Sequence, residues 1–184
     1  MVLVMSARED LLDALEGLLI DDGERAATLD AVAARAGVSK GGLLYHFPSK
    51  TALFDGLAGR LRDLAAADLE LMASAPDGPS AYYVRSSVWE DTAFDRTLVA
   101  ASRLSWTEDA PVRRAFADVR ASWLALILEE VGDPAAAEAI MLIGDGLYYN
   151  AVLGGSSVPD GTAAGSRDLD GLLSVVARLR EGRA

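Results

Sequence analysis

Both lysines of the chain, Lys40 and Lys50, and its only histidine, His46, lie within the eleven-residue stretch KGGLLYHFPSK. Ammonium and imidazole N–H groups donate hydrogen bonds to phosphate oxygens, and a lysine also reaches the O6 and N7 acceptors of guanine. Between Arg25 and Lys50, four basic residues face one acidic residue, Asp30, although the whole chain has a formal net charge of −11. This local positive excess indicates a contact surface for a polyanion, with chance clustering on a solvated face as the alternative.

The composition argues against enzymatic chemistry. The chain has no cysteine and a single histidine, which excludes thiol nucleophiles and iron–sulfur clusters and leaves little for a zinc site. The sequence has neither a phosphate-binding glycine loop nor a nucleophile elbow. A pair of carboxylates acting as acid and base stays open among the 28 acidic residues, but no spacing marks one. We therefore predict a protein that is not an enzyme and that holds no metal and no cofactor.

Apolar residues recur at helical spacing along almost the whole chain, without the sustained alternation that is typical of strands. The predicted fold is all-α, with helices near residues 7–20, 29–36, 40–47, 49–75, 80–92, 94–107, 110–131, 134–153 and 168–181. The turn-forming segment SAPDGPS separates the fourth helix from the later ones. No apolar run is long enough to span a membrane and no signal peptide is recognisable, so we expect a cytoplasmic protein without a membrane partner.

The second and third predicted helices have the spacing of a helix-turn-helix. Thr28 and Ser39 are good N-caps for these helices, and Gly37 between them is a typical left-handed stop. In such a pair the second helix can lie in the major groove of DNA. Lys40 would then stand at the start of the groove-bound helix, and Lys50 at the start of the next one.

From Thr28 to Leu57, the sequence TLDAVAARAGVSKGGLLYHFPSKTALFDGL resembles the DNA-binding region of the tetracycline-repressor (TetR) family of bacterial transcription regulators. The resemblance implies a DNA-binding domain of three helices over residues 1–48. It also implies a helical ligand-binding and dimerisation domain over residues 49–184, with helix four, about 49–75, as the connector. The function it implies is a DNA-binding regulator that represses from a two-fold symmetric operator in double-stranded DNA. Such a protein binds as a homodimer and is released by a small-molecule effector.

One departure from the family pattern concerns the third helix. The family usually has tyrosine after the leucine of this helix, where the chain has Leu44, and Tyr45 follows. This difference leaves open a ligand-binding or scaffolding helical dimer that does not bind an operator. Tyr45 itself either contacts DNA from the neighbouring face or is a ring partly buried on helix one.

We expect DNA contact from Thr28, Ser39, Lys40, Gly41, Gly42, Tyr45, His46 and Lys50, of which Thr28 and Lys50 stand where the resemblance implies phosphate contacts. Gly41 and Gly42 need an explanation, because each costs about 0.8–1 kcal/mol relative to alanine in a helix interior. Without Cβ atoms, the helix can bring its first backbone N–H groups close to phosphate or base edges. The alternative is that the glycines relieve crowding against helix two. For His46 the alternative to a phosphate contact is a structural role.

Effector contacts are expected from Trp89, Arg103, Trp106, Trp123 and Tyr148 in the second domain. Most aromatic residues at helical spacing belong to a core, which is the alternative for each of these rings. Arg103 is either a surface arginine whose stem packs on apolar neighbours or a buried cation for an anionic ligand group. Asp145 and Asn150 either bind the ligand or tie helices together.

The last two helices are too apolar to coat a monomer. In the TetR family these helices pair with their copies in a four-helix dimer interface. We assign that role to Ile140, Ile143, Gly144, Leu147, Ala151, Leu172, Leu173 and Val176. The alternative is that part of this apolar surface is the core of a single chain.

Overall fold

The computed structural model describes residues 7–104, 111–153 and 169–182. Within these ranges the chain forms nine α-helices and no β-strand, so the predicted all-α fold is confirmed. The helices are α1 (Ala7–Asp22), α2 (Leu29–Arg35), α3 (Lys40–His46), α4 (Lys50–Ala73), α5 (Pro79–Ser86), α6 (Ala93–Ser102), α7 (Pro111–Val131), α8 (Pro134–Leu153) and α9 (Leu169–Arg180).

Side-chain caps set the starts of several helices, as the sequence pattern predicts. The hydroxyl groups of Thr28 and Ser39 each accept a hydrogen bond from the backbone N–H three residues later, at 3.2 and 3.1 Å. Asp133 accepts two such bonds at the start of α8, where Pro134 is the first helical residue. These bonds satisfy N–H groups that have no acceptor inside the helix.

Two helices end earlier than predicted, α5 and α6, and α6 ends at Ser102 rather than near residue 107. α5 ends at Ser86, short of the expected end near residue 92. Two local features interrupt the helical pattern: Asp91 has a left-handed φ of 55°, and Thr92 forms a capping box with Asp95 that begins α6. Apolar spacing alone does not show such an interruption.

The chain folds as two compact units, each built from two stretches of sequence. The first contains the described parts of residues 1–65 and 91–118, and the second those of 66–90 and 119–184. α4 and α7 each contribute residues to both units. The division at residue 48 separates proposed functions rather than compact units, and it stays a prediction.

The core of the first unit is built from leucines of α1 and α4, namely the fully buried Leu11, Leu12, Leu15, Leu19, Leu53, Leu57 and Leu61. Leu43 of α3 is buried as well, and so is Phe47, the first residue after this helix. Gly56 lets α4 approach Phe47 closely, because a Cβ atom at that position would lie 2.6 Å from Phe47 Cε1. The two buried side chains thus hold α3 on the bundle.

In the second unit, α5 packs against α8 and α9. Tyr83 of α5 is buried, and its ring lies 5.5 Å from that of Trp123 on α7, centroid to centroid. Ile127, Ile140 and Met141 are fully buried in the same unit. Tyr83 and Trp123 are therefore part of the packing of this unit.

Candidate nucleic-acid interface

α2, the turn and α3 form the predicted helix-turn-helix, and each part has an identifiable cause. α2 stops at Gly37, whose φ of +69° is a backbone conformation that residues with a side chain rarely adopt. The N–H of Val38 donates to the carbonyl of Ala33 at 3.0 Å and closes the last turn of α2. Ser39 then caps α3. The direction of α3 is thus set by a glycine stop followed at once by a serine cap.

The inward and outward faces of α3 differ sharply. Leu43 is fully buried, whereas Tyr45 is 84% exposed and Leu44 is 38% exposed. The alternative of a Tyr45 ring partly buried on α1 is therefore not what the structure shows. His46 is half-buried, and its ring meets the Tyr45 ring edge-on at a centroid distance of 5.1 Å. The outward face of α3 is accessible to another molecule.

Gly41 and Gly42 are not explained by packing within the described chain. Beyond the helix's own backbone, a Cβ atom on Gly41 would meet only Ser39 Oγ, at 3.9 Å. On Gly42 it would meet Ser39 Oγ at 3.4 Å and Val38 Cβ at 4.0 Å. No described atom of α2 lies within 4 Å of either Cβ position. Neither glycine has a positive φ. Relief of crowding against α2 therefore gives no reason for these two residues.

Thr28 and Lys50 stand at the starts of α2 and α4, as predicted. Thr28 is exposed and Lys50 is half-buried. The Lys50 ammonium lies 5.2 Å from the centroid of the Phe54 ring, one turn further along α4. A cation over an aromatic face is held in place without losing its charge. This contact orients Lys50 and leaves its N–H donors available.

Two basic side chains are paired with carboxylates, which sequence reasoning did not predict. Lys40 Nζ lies 2.9 Å from Asp30 Oδ1 and 3.0 Å from Oδ2. Arg35 donates to Asp21 Oδ2 at 2.6 Å. Asp30 is already part of the formal charge count between residues 25 and 50, so only the pairing of Arg35 with Asp21 makes the positive excess smaller than that count, and Lys40 remains exposed. Asp21 lies outside that counting window, and only the approach of α1 to α2 brings it to Arg35.

A second group missed by the sequence reasoning is an ionic cluster that joins α1, α4 and α6 within the first unit. Arg60 donates to Glu9 at 2.6 Å, to Asp13 at 2.5 Å and to Glu16 at 3.1 Å. Thr97 donates its hydroxyl hydrogen to Glu16 at 2.7 Å. The only sequence signal was Glu16 itself, a carboxylate on the leucine face of the first helix.

The surroundings of this cluster shift the pKa values of Glu16 and Arg60. Burial raises the pKa of the Glu16 carboxyl, and the hydrogen bonds from Thr97 and Arg60 oppose that rise only in part. Burial alone would lower the pKa of Arg60, but its bonds to Glu9 and Asp13 and the charge of Glu16 outweigh burial and raise it. Arg60 therefore stays charged and holds the three acidic side chains of α1.

The aromatic candidates for effector contact have different surroundings. Trp89 and Tyr148 are half-buried, and their ring centroids lie 6.3 Å apart. Trp123 is buried and donates its indole N–H to Asp68 at 2.9 Å. Trp106 lies outside the described residues. The structure therefore brings Trp89 and Tyr148 together and places Trp123 in a packed, hydrogen-bonded position.

The polar candidates in this group are placed as surface or structural residues. Arg103 belongs to the first unit and is exposed, which fits the surface alternative and not a buried cation. Asp145 accepts a hydrogen bond from Tyr83 at 2.8 Å and forms an ion pair with Arg120. It therefore ties α8 to α5 and α7. Asn150 donates to the carbonyl of Gly146 in its own helix at 2.6 Å.

Asp68 has a role on α4 similar to that of Asp145 on α8. It accepts hydrogen bonds from the Tyr82 hydroxyl and the Trp123 indole, both at 2.9 Å. Burial and then the bond to Asp68 raise the pKa of Tyr82 to about 12. Burial and the charge of Asp145 likewise raise the pKa of Tyr83. Both tyrosines therefore remain neutral donors at physiological pH.

The residues predicted at a dimer interface divide into two groups. Ile140, Gly144 and Val176 are buried within a single chain, with Gly144 directly beneath the Tyr83 ring, as the core alternative expects. Leu147 is buried too, although it also lines the groove described next, and the half-buried residues are Ile143, Ala151, Leu172 and Leu173. An open groove of about 370 Å³ lies between α8 and α9, lined by Leu142, Ile143, Gly146, Leu147, Asn150 and Leu172. Leu142, which was not predicted, is 59% exposed.

The described part of the chain has neither a membrane-spanning helix nor a metal-binding cluster. None of its helices combines the length and the apolarity that crossing a bilayer requires. Over the same residues, His, Asp and Glu side chains form no group of three that could hold a metal ion.

Family models match most of the chain. Residues 11–57 match the model of the bacterial regulatory proteins of the tetR family. Residues 77–173, more than half of the chain, match a tetracyclin repressor-like C-terminal domain. The chain therefore belongs to the TetR family.

Individual proteins are similar to parts of this chain or to its fold. The HTH-type transcriptional repressor BepR of Brucella suis is 28% identical over 102 residues, which are 55% of this chain and 44% of BepR. The nucleoid occlusion factor SlmA of Edwardsiella ictaluri is 39% identical over 66 residues, 35% of this chain and 33% of SlmA. The chain thus matches less than half of the length of either relative. The crystal structure of the multidrug binding protein EbrR with malachite green has a TM-score of 0.67 at 21% identity, covering 95% of this chain and 98% of EbrR.

Proposed function

We propose that the protein is a DNA-binding transcription regulator that acts as a repressor. The observation that carries the proposal is the outward surface of α3. Ser39 caps this helix, Gly41 and Gly42 are not required by packing in the described chain, and Tyr45 is 84% exposed. A helix with an accessible backbone at its start and an exposed aromatic side chain near its end suits insertion into a major groove. Family membership and the similarity to the repressor BepR support this function.

Within this surface we assign different roles to different side chains. Lys40 and Tyr45 are the long side chains of α3 that can reach base edges, because two glycines follow Lys40 and leave it room. Thr28, His46 and Lys50 position α3 by contacts with phosphate and carry little sequence information. Ser39 contributes chiefly by capping.

The second unit is the proposed site of a small, largely apolar effector. Trp89 and Tyr148 offer two half-buried aromatic rings for contact with the effector. Trp123 would line the site, with its ring held in place by the hydrogen bond from its indole N–H to Asp68. EbrR, which has the same fold, is a multidrug binding protein. In this proposal the effector releases the repressor, so effector and operator each weaken the binding of the other.

The proposed active form is a homodimer on a two-fold symmetric operator. Each subunit offers one reading helix, and a single short helix gives too little contact for specific binding. Two copies would read half-sites about one turn of DNA or slightly more apart, on the order of 34–40 Å. No catalytic role, cofactor or metal is part of the proposal.

An electrophoretic shift on DNA from the protein's own promoter region tests the proposal. We expect a specific complex that unrelated DNA does not displace. A dimer that binds ligands yet shifts neither this DNA nor any sequence selected from random duplexes would support the non-DNA-binding alternative. A ligand found by quenching of tryptophan fluorescence should also lower operator affinity; if it does not, the proposed release mechanism is wrong.

A further inference from the structure

We propose that Asp30 is a specificity-determining residue of the DNA interface, because it holds Lys40 away from non-cognate DNA and releases it only to a matching base. The inference rests on the proposed function. Asp30 lies in the first turn of α2, and Lys40 is the first residue of α3. Both carboxylate oxygens meet the ammonium, at 2.9 and 3.0 Å.

The exposure of this pair makes it an exchangeable contact. The side chains of Asp30 and Lys40 are 70% and 59% exposed. An exposed ion pair contributes little to the stability of the fold, so the fold does not require this pair. For the same reason, little free energy is needed to break it. It nevertheless occupies two donor directions of the only lysine on the reading helix.

Cognate and non-cognate DNA differ in what they offer Lys40 in exchange. Guanine presents two acceptors, O6 and N7, that replace the two oxygens of Asp30. Where no guanine stands at that position, Lys40 keeps Asp30, and the carboxylate adds negative charge close to the phosphates. The negative charge of Asp30 therefore weakens the binding of every DNA sequence. Only a base that bonds to Lys40 in place of Asp30 compensates for this loss of affinity.

A second ion pair of the same unit provides a matched control. Arg35 and Asp21 are also partly exposed, at 39% and 54%, and lie 2.6 Å apart. The Arg35 guanidinium lies against Gly17 of α1, where a Cβ atom would be 2.5 Å from it. Asp21→Asn thus removes the same charge as Asp30→Asn but frees an arginine that α1 holds.

The test uses two DNA duplexes. One is selected from random DNA by the protein itself and serves as the operator, and the other has a scrambled sequence. The affinity of the full chain for each duplex is measured at two salt concentrations. Asp30→Asn should tighten binding to the scrambled duplex by about fivefold and steepen its salt dependence by about one per subunit. Operator affinity should rise by less than about twofold, so the specificity ratio falls. Asp21→Asn should change both affinities by less than about twofold.

Three results would overturn the inference. The first is equal tightening of both duplexes by Asp30→Asn, and the second is no change in either. The third is a full effect of Asp30→Asn in a Lys40→Ala background, which would show that Asp30 does not act through Lys40. If the wild-type protein fails to prefer any selected duplex, the proposed function fails instead, and the two failures are therefore distinguishable.

Discussion

Lys40 and Lys50 carry the same charge in different surroundings. Lys50 begins α4 and is oriented by the Phe54 ring, whereas Lys40 begins α3 and is paired with Asp30. On DNA, the first arrangement suits a phosphate and the second suits a base that displaces a carboxylate. The charge count of the sequence treats these two lysines as equivalent, and only their surroundings separate them.

Lys50→Ala should weaken binding to all DNA sequences about equally and reduce the salt slope by about one per subunit. Lys40→Ala should cost about 1–3 kcal/mol on the operator and much less on unrelated DNA, since a base contact is lost only there. Titrations against operator and scrambled DNA at two salt concentrations measure both effects. A parallel loss on both DNAs for Lys40→Ala would reduce Lys40 to a phosphate contact.

Thr97 is the residue whose hydroxyl keeps the buried Glu16 carboxylate hydrogen-bonded from α6. Thr97→Val preserves the volume and removes the donor, so we expect a loss of about 1–3 kcal/mol in the free energy of unfolding. Urea denaturation measures it. Thr51→Val, at an exposed position of α4, is the control and should change stability by less than about 0.5 kcal/mol. Equal effects of the two substitutions would show that the Thr97 bond is not stabilising.

At the scale of helices, the position of α3 depends on a close contact between Gly56 and Phe47. Gly56→Ala would place a Cβ atom 2.6 Å from Phe47 Cε1 and 3.3 Å from Leu12 Cδ2. Because both partners are buried, we expect destabilisation of about 1–3 kcal/mol. Gly59→Ala is the matched control on the same helix, since nothing lies within 4 Å of its Cβ position and alanine is the better helix former. Denaturation curves in which Gly56→Ala is as stable as Gly59→Ala would contradict this account.

The helices could be predicted where their causes are local in sequence. Thr28, Ser39 and Asp133 cap their helices by bonds to residues only two or three positions away, and Gly37 acts on its own backbone. The turn before α6 was missed because the left-handed Asp91 has no marker in apolar spacing.

The features of the candidate site could likewise be predicted only where they depend on residues close together in the sequence. The exposure of Tyr45 follows from helical spacing next to the buried Leu43. The ion pair of Arg35 with Asp21, and that of Arg60 with the acidic residues of α1, join residues that a count over residues 25–50 does not place together. Charge counting along the chain cannot find such partners. It therefore overestimated the positive charge of the α2–α3 surface.

At the scale of the whole molecule, the groove between α8 and α9 is the apolar surface where a second copy is expected. Leu142→Glu should convert a dimer into a monomer, because it places a charge on a leucine that is 59% exposed and lines this groove. Leu71→Glu, at a leucine on α4 that is 60% exposed and does not line the groove, is the control and should leave the dimer intact. Light scattering at micromolar concentration measures both. A monomeric wild-type protein would contradict the proposed dimer outright.

The most direct test of the central claim, that α3 enters the major groove with its glycine-bearing start, is an operator titration of Gly42→Leu. In the described chain, a Cβ at this position meets only side-chain atoms of Ser39 and Val38 at 3.4 Å or more, so the variant should fold and dimerise normally. Gly59→Leu, on α4, controls for the added side chain. We expect Gly42→Leu to abolish operator binding while Gly59→Leu retains it. Operator affinity of Gly42→Leu equal to that of the wild type would contradict the claim that DNA approaches α3 at this point.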